Sequence, residues 1–114
     1  MTIKEMMETL GLRLAAGPEG MLDREITGVY CCDLISHAMA KLDSGNVWIT
    51  VHTNLNVVAV ASLTDAACVV VPENIEIEEQ SINRANEKQV LMLSSDKTAA
   101  ELSFEMISRI RKAE

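Results

Sequence analysis

Two histidines, four clusters of hydroxyl and acid residues, and a pair of adjacent cysteines are the groups in this chain that could do chemistry. His37 falls on the polar face of a helical pattern, where a solvated ring is expected. His52 stands in Thr50-Val51-His52-Thr53-Asn54, directly after a β-branched run. Ligands of parallel sheets bind outside the carboxyl ends of the strands, so His52 is the better placed of the two. The same rule collects Cys32 and Asp33, Thr50 to Asn54, Glu73 and Asn74, and Ser94-Ser95-Asp96 from four predicted strand ends. Helix N-termini at such ends offer free N–H groups to anions. Each residue also reads as a helix cap, and for Asp33 and Thr98 the cap alone accounts for the residue type. The expected ligand-binding set is Asp33, Thr50, His52, Thr53, Asn54, Ser94, Ser95 and Asp96, facing a small anionic metabolite or nucleotide.

Several chemistries are excluded by pattern. Neither G-x-x-x-x-G-K-[ST] nor G-x-G-x-x-G occurs, and Gly17 and Gly20 sit in a turn with no lysine after it, so P-loop phosphoryl transfer is out. There is no G-x-S-x-G elbow. Cys31 and Cys32 are adjacent and cannot easily chelate one ion, and no C-x-x-C is present, so no metal site is expected. Cys31, Cys32 and Cys68 read instead as buried structural thiols. No nucleophile and base pair is legible from spacing, so no catalytic residues and no cofactor are assigned.

The elements that must position these groups alternate along the chain. Thr2-Ile3-Lys4-Glu5 is a capping box, followed by a stripe of Ile3, Met6, Met7 and Leu10 and a closing Gly11. Leu12 to Ala15 reads as a short strand, Gly17 to Gly20 as a turn, and Ile26 to Cys32 as a second strand. Asp33 is expected to cap a helix over Leu34 to Leu42 that buries Leu34, Ile35, Ala38, Met39 and Leu42. Val47 to Val51 is a strand by propensity. Asn54 to Leu63 suits either a strand, in a hairpin with the next run, or a helix capped by Thr53 or Asn54 and buried on both sides. The regular alternation of its neighbours selects the helix. Cys68 to Val71 is a continuous apolar run, as buried parallel strands are. Glu78 to Lys88 predicts an exposed helix with Ile82 and Ala85 inward, and Val90 to Leu93 a further buried strand. Thr98 to Glu101 is a second capping box, opening a helix with Leu102, Met106, Ile107 and Ile110 inward.

The resulting order is α-β-β-α-β-α-β-α-β-α. It predicts one α/β domain over 1–114, a mostly parallel sheet of four to five strands flanked by helices. A chain of 114 residues fits one domain. Its net charge of −7 gives no long-range attraction for phosphate backbones, and Arg109, Arg111 and Lys112 sit in one tail, so nucleic acid is not an expected partner. The odd cysteine count suits a reducing compartment. No basic stretch precedes an apolar core at the N-terminus, and the longest apolar run, Val57 to Ala61, is far short of a membrane span, so a cytoplasmic protein is expected.

Leu14-Ala15-Ala16-Gly17-Pro18-Glu19-Gly20 followed by Leu22-Asp23-Arg24-Glu25-Ile26-Thr27-Gly28 resembles the signature of the DRTGG domain family. Cys32 to Ser36, Val47 to Thr50 and Asn54 to Ala61 extend the likeness, which covers Thr2 to about Ile110. The chain departs from the motif that names the family, with Glu25-Ile26-Thr27-Gly28 after Asp23 and Arg24. That family is similar to the N-terminal domain of HPr kinase/phosphorylase. It also occurs beside CBS domains and in some phosphate acetyltransferases, where it looks regulatory. The fold group includes the uridine-nucleotide-contacting N-terminal domains of Mur ligases. The resemblance implies an HPr kinase N-terminal-domain-like fold and no chemistry of its own, since the kinase activity of the relative belongs to a separate P-loop domain. Within the motif, Asp23 and Arg24 are expected to pair or to fix the entry to the strand, or Arg24 to present its guanidinium to a phosphate. Gly28 predicts a close backbone approach or a bulge.

The expectation is therefore a non-catalytic, ligand-sensing regulatory module that forms a homodimer, because a helix at 54–63 apolar on both sides exceeds what one small sheet covers and because the resemblance implies it. The alternative is an interaction subunit that docks on a larger metabolic enzyme and takes no small ligand. A third reading is a small enzyme using His52 with Asp33 or Asp96.

Overall fold

Short β-branched runs separated by capped helices leave the backbone one economical arrangement, a central sheet with helices on both faces. The computed structural model describes residues 1–113. Its elements are α1 (Ile3–Leu10), β1 (Arg13–Ala16), a 3-10 turn (Glu19–Met21), β2 (Gly28–Cys31), α2 (Ile35–Lys41), β3 (Asn46–Ile49), α3 (Leu55–Leu63), β4 (Cys68–Val71), α4 (Glu79–Lys88), β5 (Met92–Ser94) and α5 (Ala99–Ala113). The sheet order is β1-β5-β4-β3-β2. β2 to β5 run parallel in sequence order, and β1 adds antiparallel to β5 with a register shift between Leu14 and Ala16. The expected mostly parallel α/β sheet is the one observed.

Two cores follow from the period-two alternation of the strands. Val47, Ile49, Cys68, Val70 and Leu93 face α1 and α5, where they meet Ile3, Met6, Leu10, Leu102 and Met106. Trp48, Val69, Val71 and Met92 face α2, α3 and α4, where they meet Ala38, Val57, Val58, Ala61 and Ala85. Both capping boxes form: the Thr2 and Thr98 hydroxyls accept from the N–H of Glu5 and Glu101, whose carboxylates accept in return. Gly11 closes α1 in the left-handed region. Gly17, at φ +98°, carries the chain past α4, and a Cβ there would lie 2.6 Å from the Val90 carbonyl oxygen.

Residues 55–63 are helical, with Asn54 as the cap. The helix is covered on one side only: Val57, Val58, Val60 and Ala61 are buried, whereas Leu55, Ala59 and Leu63 face outward. The expectation of burial on both sides is corrected accordingly. Three further expectations of burial fail. Leu34 and Met39 of the second helical segment are 63% and 43% exposed. Ile107 of α5 is also exposed, because Leu102 and Met106 already fill the face turned to the sheet. Cys31 is exposed and Cys32 half-buried, so among the thiols only Cys68 is a core residue. Burial in the apolar core pushes the Cys68 thiol up to about 12. No helix among the described residues is long and apolar enough to cross a membrane.

Candidate ligand site at the carboxyl edge of the sheet

The parallel strands β2, β3, β4 and β5 end on one edge, and the predicted set is spread along it in three groups. The first joins β2 to β3. Asp33 does not cap α2; Leu34 occupies the cap position and makes no side-chain bond there. The Asp33 Oδ1 instead accepts from the Thr50 hydroxyl at 2.9 Å and from the Val51 N–H at 2.9 Å. Thr50 is buried, and its Oγ1 also accepts from the His52 N–H at 3.3 Å. Asp33 thus spans two adjacent strand ends, and its second oxygen is in no hydrogen bond among the described residues. His52, two residues after Thr50, is half-buried, and its ring takes no hydrogen-bond partner among the described residues.

The second group joins β3 to α4. Asn54 accepts from the Asn56 N–H and starts α3. The Thr53 carbonyl accepts from the buried Ser81 hydroxyl at 2.5 Å, and the Thr53 hydroxyl donates to Glu78 at 3.4 Å. Glu78 and Ser81 were not singled out by the sequence reading. Their one legible signal was a serine on the inward face of a polar helix, at the spacing that puts Ser81 one turn after Glu78.

The third group lies where the helices after neighbouring strands diverge, α4 to one face and α5 to the other. A crevice belongs at such a point in open α/β sheets. Here main-chain bonds tie the two loops to each other. The Ser95 N–H donates to the Val71 carbonyl, the Asn74 N–H to the Ser95 carbonyl and the Glu73 N–H to the Lys97 carbonyl, at 3.0, 2.8 and 2.9 Å. Glu73 and Asn74 both take left-handed backbone conformations to make these bonds. Ser95 is buried and accepts from the Lys97 N–H, while Arg13 donates to Asn74 at 2.6 Å and more distantly to Ser94. Asp96 is exposed. Ser94 and Ser95 thus stitch two loops together, and β4 separates them from the Asp33–His52 group by about two strand spacings, roughly 10 Å.

The motif residues lie at the opposite, amino end of the sheet. Asp23 is exposed and is not the partner of Arg24. Arg24 forks onto Asp65, 41 residues away, with Nη1 to Oδ1 at 3.0 Å and Nη2 to Oδ2 at 2.9 Å, and also bonds the Asp65 carbonyl and the Ser44 hydroxyl. The Arg24 guanidinium and the Ser44 hydroxyl hold the Asp65 carboxyl below the usual carboxylate range. The expected fixing of the strand entry is therefore made through Asp65. Gly28 packs closely, since a Cβ would lie 3.1 Å from the Asn46 amide nitrogen. His37 is exposed. Two cavities lie away from the carboxyl edge: one of about 200 Å³ between α3 and α4, lined by Leu55, Ala59, Leu63, Arg84 and Lys88, and one of about 240 Å³ beside Arg24 and Asp65.

Compared with known proteins, the chain matches no protein-family profile and no curated sequence. It does match a solved fold. The crystal structure of the CBS and DRTGG domains of the regulatory region of Clostridium perfringens pyrophosphatase, complexed with the activator diadenosine tetraphosphate, superposes with a TM-score of 0.69 at 10% identity. The match covers 90% of this chain and 44% of that one. At this identity the likeness is one of fold. The chain thus shares the fold of part of a structure that contains a DRTGG domain, and it spans less than half the length of that chain.

Proposed function

We propose that this domain is a non-catalytic regulatory module of the DRTGG type, and that it binds a nucleoside-containing ligand at the Asp33–His52 end of the carboxyl edge. The observation that carries the reading is a carboxylate pinned by two hydrogen bonds through one oxygen, with the other open, held by a Thr50 hydroxyl that also accepts from the N–H of the half-buried His52. Such a pair suits sugar hydroxyls and a ring nitrogen better than a bare anion. The edge carries Asp33, Glu73, Glu78 and Asp96 against Arg13 and Lys97, so inorganic phosphate alone meets net repulsion. Phosphates of a nucleotide would lie toward Arg13 and Lys97. The fold's likeness to a regulatory region crystallised with a dinucleotide activator supports the class of ligand.

The test is thermal unfolding in the presence of adenine and uridine nucleotides, diadenosine tetraphosphate, phosphate and acetyl phosphate. A ligand at 100 times its dissociation constant adds about 2.7 kcal/mol, a rise of roughly ten degrees in midpoint for a chain of this size. The expected result is a shift with a nucleotide, none with phosphate, and loss of the shift in Asp33→Asn. No shift across the panel defeats the reading. It would favour the second one, docking on a larger enzyme, for which the outward Leu55, Ala59 and Leu63 face of α3 is the supporting observation.

A further inference from the structure

The chain holds one phenylalanine, and it is not in the core. Phe104 is 70% exposed on the outer face of α5, one turn from Ile107, which is also exposed. The inner face of that helix is complete without them, since Leu102 and Met106 are fully buried against the sheet. A ring so exposed on a fifteen-residue helix, with an isoleucine at i+3 on the same face, is an unpartnered apolar stripe.

The charges around the stripe say what covers it. Glu101 lies one turn before Phe104, and Arg111 and Lys112 lie one turn after Ile107. Glu105 and Arg109, between them, pair within the helix. The stripe therefore runs acidic, apolar, basic along one helix. A segment complementary to it must run basic, apolar, acidic, which is the same helix read in the opposite direction. Two copies of α5 laid antiparallel set Phe104 of each against Ile107 of the other and bring each Glu101 to the Arg111–Lys112 end of its neighbour. The helix dipoles also oppose favourably in that arrangement. The match is self-complementary, as a two-fold interface requires.

We infer that the chain pairs with a second copy of itself through the outer face of α5, Phe104 packing on Ile107 across a two-fold axis. The pairing is independent of any ligand at the carboxyl edge. It also moves the expected homodimer from α3 to the opposite face of the sheet, because the exposed side of α3 borders the basic Arg84 and Lys88, which a second copy laid on the same face would meet with like charge.

Sedimentation velocity of the full chain at tens of micromolar tests it. Wild type should sediment at twice the chain mass, and Phe104→Glu should weaken association by at least about tenfold. Glu101→Lys, and separately R111E with K112E, should each weaken self-association, and mixing the two proteins should restore a dimer. Emission from Trp48, the single and fully buried tryptophan, reports that each variant is folded. Leu63→Glu, on α3, should leave the dimer intact. A wild-type monomer at that concentration overturns the inference, as does a dimer that survives Phe104→Glu or one that Leu63→Glu dissociates.

Discussion

Removal of the Arg24 side chain should destabilise the domain by about 1–2 kcal/mol, and that loss should vanish in acid. The guanidinium makes two parallel bonds to the Asp65 carboxylate and a third to its carbonyl, tying the loop before β2 to the turn between α3 and β4. Charge-assisted bonds are worth about 1.5–3 kcal/mol when shielded. The side chains here are 27% and 65% exposed, so water screens the pair and the larger figure does not apply. About 1–2 kcal/mol corresponds to a fall in midpoint of about 4–8 °C for a chain of this length. Asp65 is held charged by Arg24, then by Ser44, so its pKa is depressed in the folded state. A depressed carboxyl contributes stability that is present above its unfolded pKa and is lost as pH falls through the folded one. The gap between wild type and Arg24→Ala should thus be full at neutral pH and close below the ordinary carboxylate range. Urea unfolding followed by Trp48 emission, at neutral and acid pH, measures both. An Arg24→Ala protein as stable as wild type at neutral pH, or a gap that persists unchanged in strong acid, would refute the structural role. Nucleotide shifts should survive the substitution, since Arg24 lies at the end of the sheet remote from Asp33.

Gly17→Ala should cost about 2–4 kcal/mol in urea unfolding, because its Cβ would meet the Val90 carbonyl and the Leu91 backbone at a left-handed φ that alanine resists. A loss under 0.5 kcal/mol, on the scale of an ordinary surface substitution, would show that the Val90–Leu91 backbone yields. In native protein at neutral pH, a disulfide reagent should modify Cys31 first and leave Cys68 untouched until unfolding, given full burial and a thiol at about 12. Rapid labelling of all three cysteines without denaturant would contradict the packing.

Local signals carried most of the fold. Thr2, Gly11 and Thr98 act within four residues of themselves, so the caps they form are visible without the rest of the chain. Alternation of elements decided residues 55–63, whose valines alone favour a strand. Long-range partners were not legible. Asp33 has the residue type of a cap, and only the parallel register of β2 and β3, pairing Cys31 with Ile49, sets it beside Thr50 and Val51. Arg24 has a neighbouring acid in sequence and chooses one 41 residues on. Phe104 and Leu34 follow helical periodicity, and nothing in a single sequence says which of two apolar stripes a sheet will cover. The bonds that tie the loop after β4 to Ser95 and Lys97 depend on left-handed conformations at Glu73 and Asn74, which neither residue type announces.

The placement of β1 against β5 has a kinetic consequence. Within this chain, Arg13 emerges from the ribosome 81 residues ahead of Ser94, the residue it faces in the sheet. β2 to β5 can add one after another, each held to its predecessor by a short crossover, but β1 has no edge to join until β5 is made. The first strand synthesised is thus the last to be placed. Until then Leu14 and Ala16 lack the partner strand they face in the sheet, and long-range pairing of this kind is the sort that forms late and leaves a nascent copy open to mispairing.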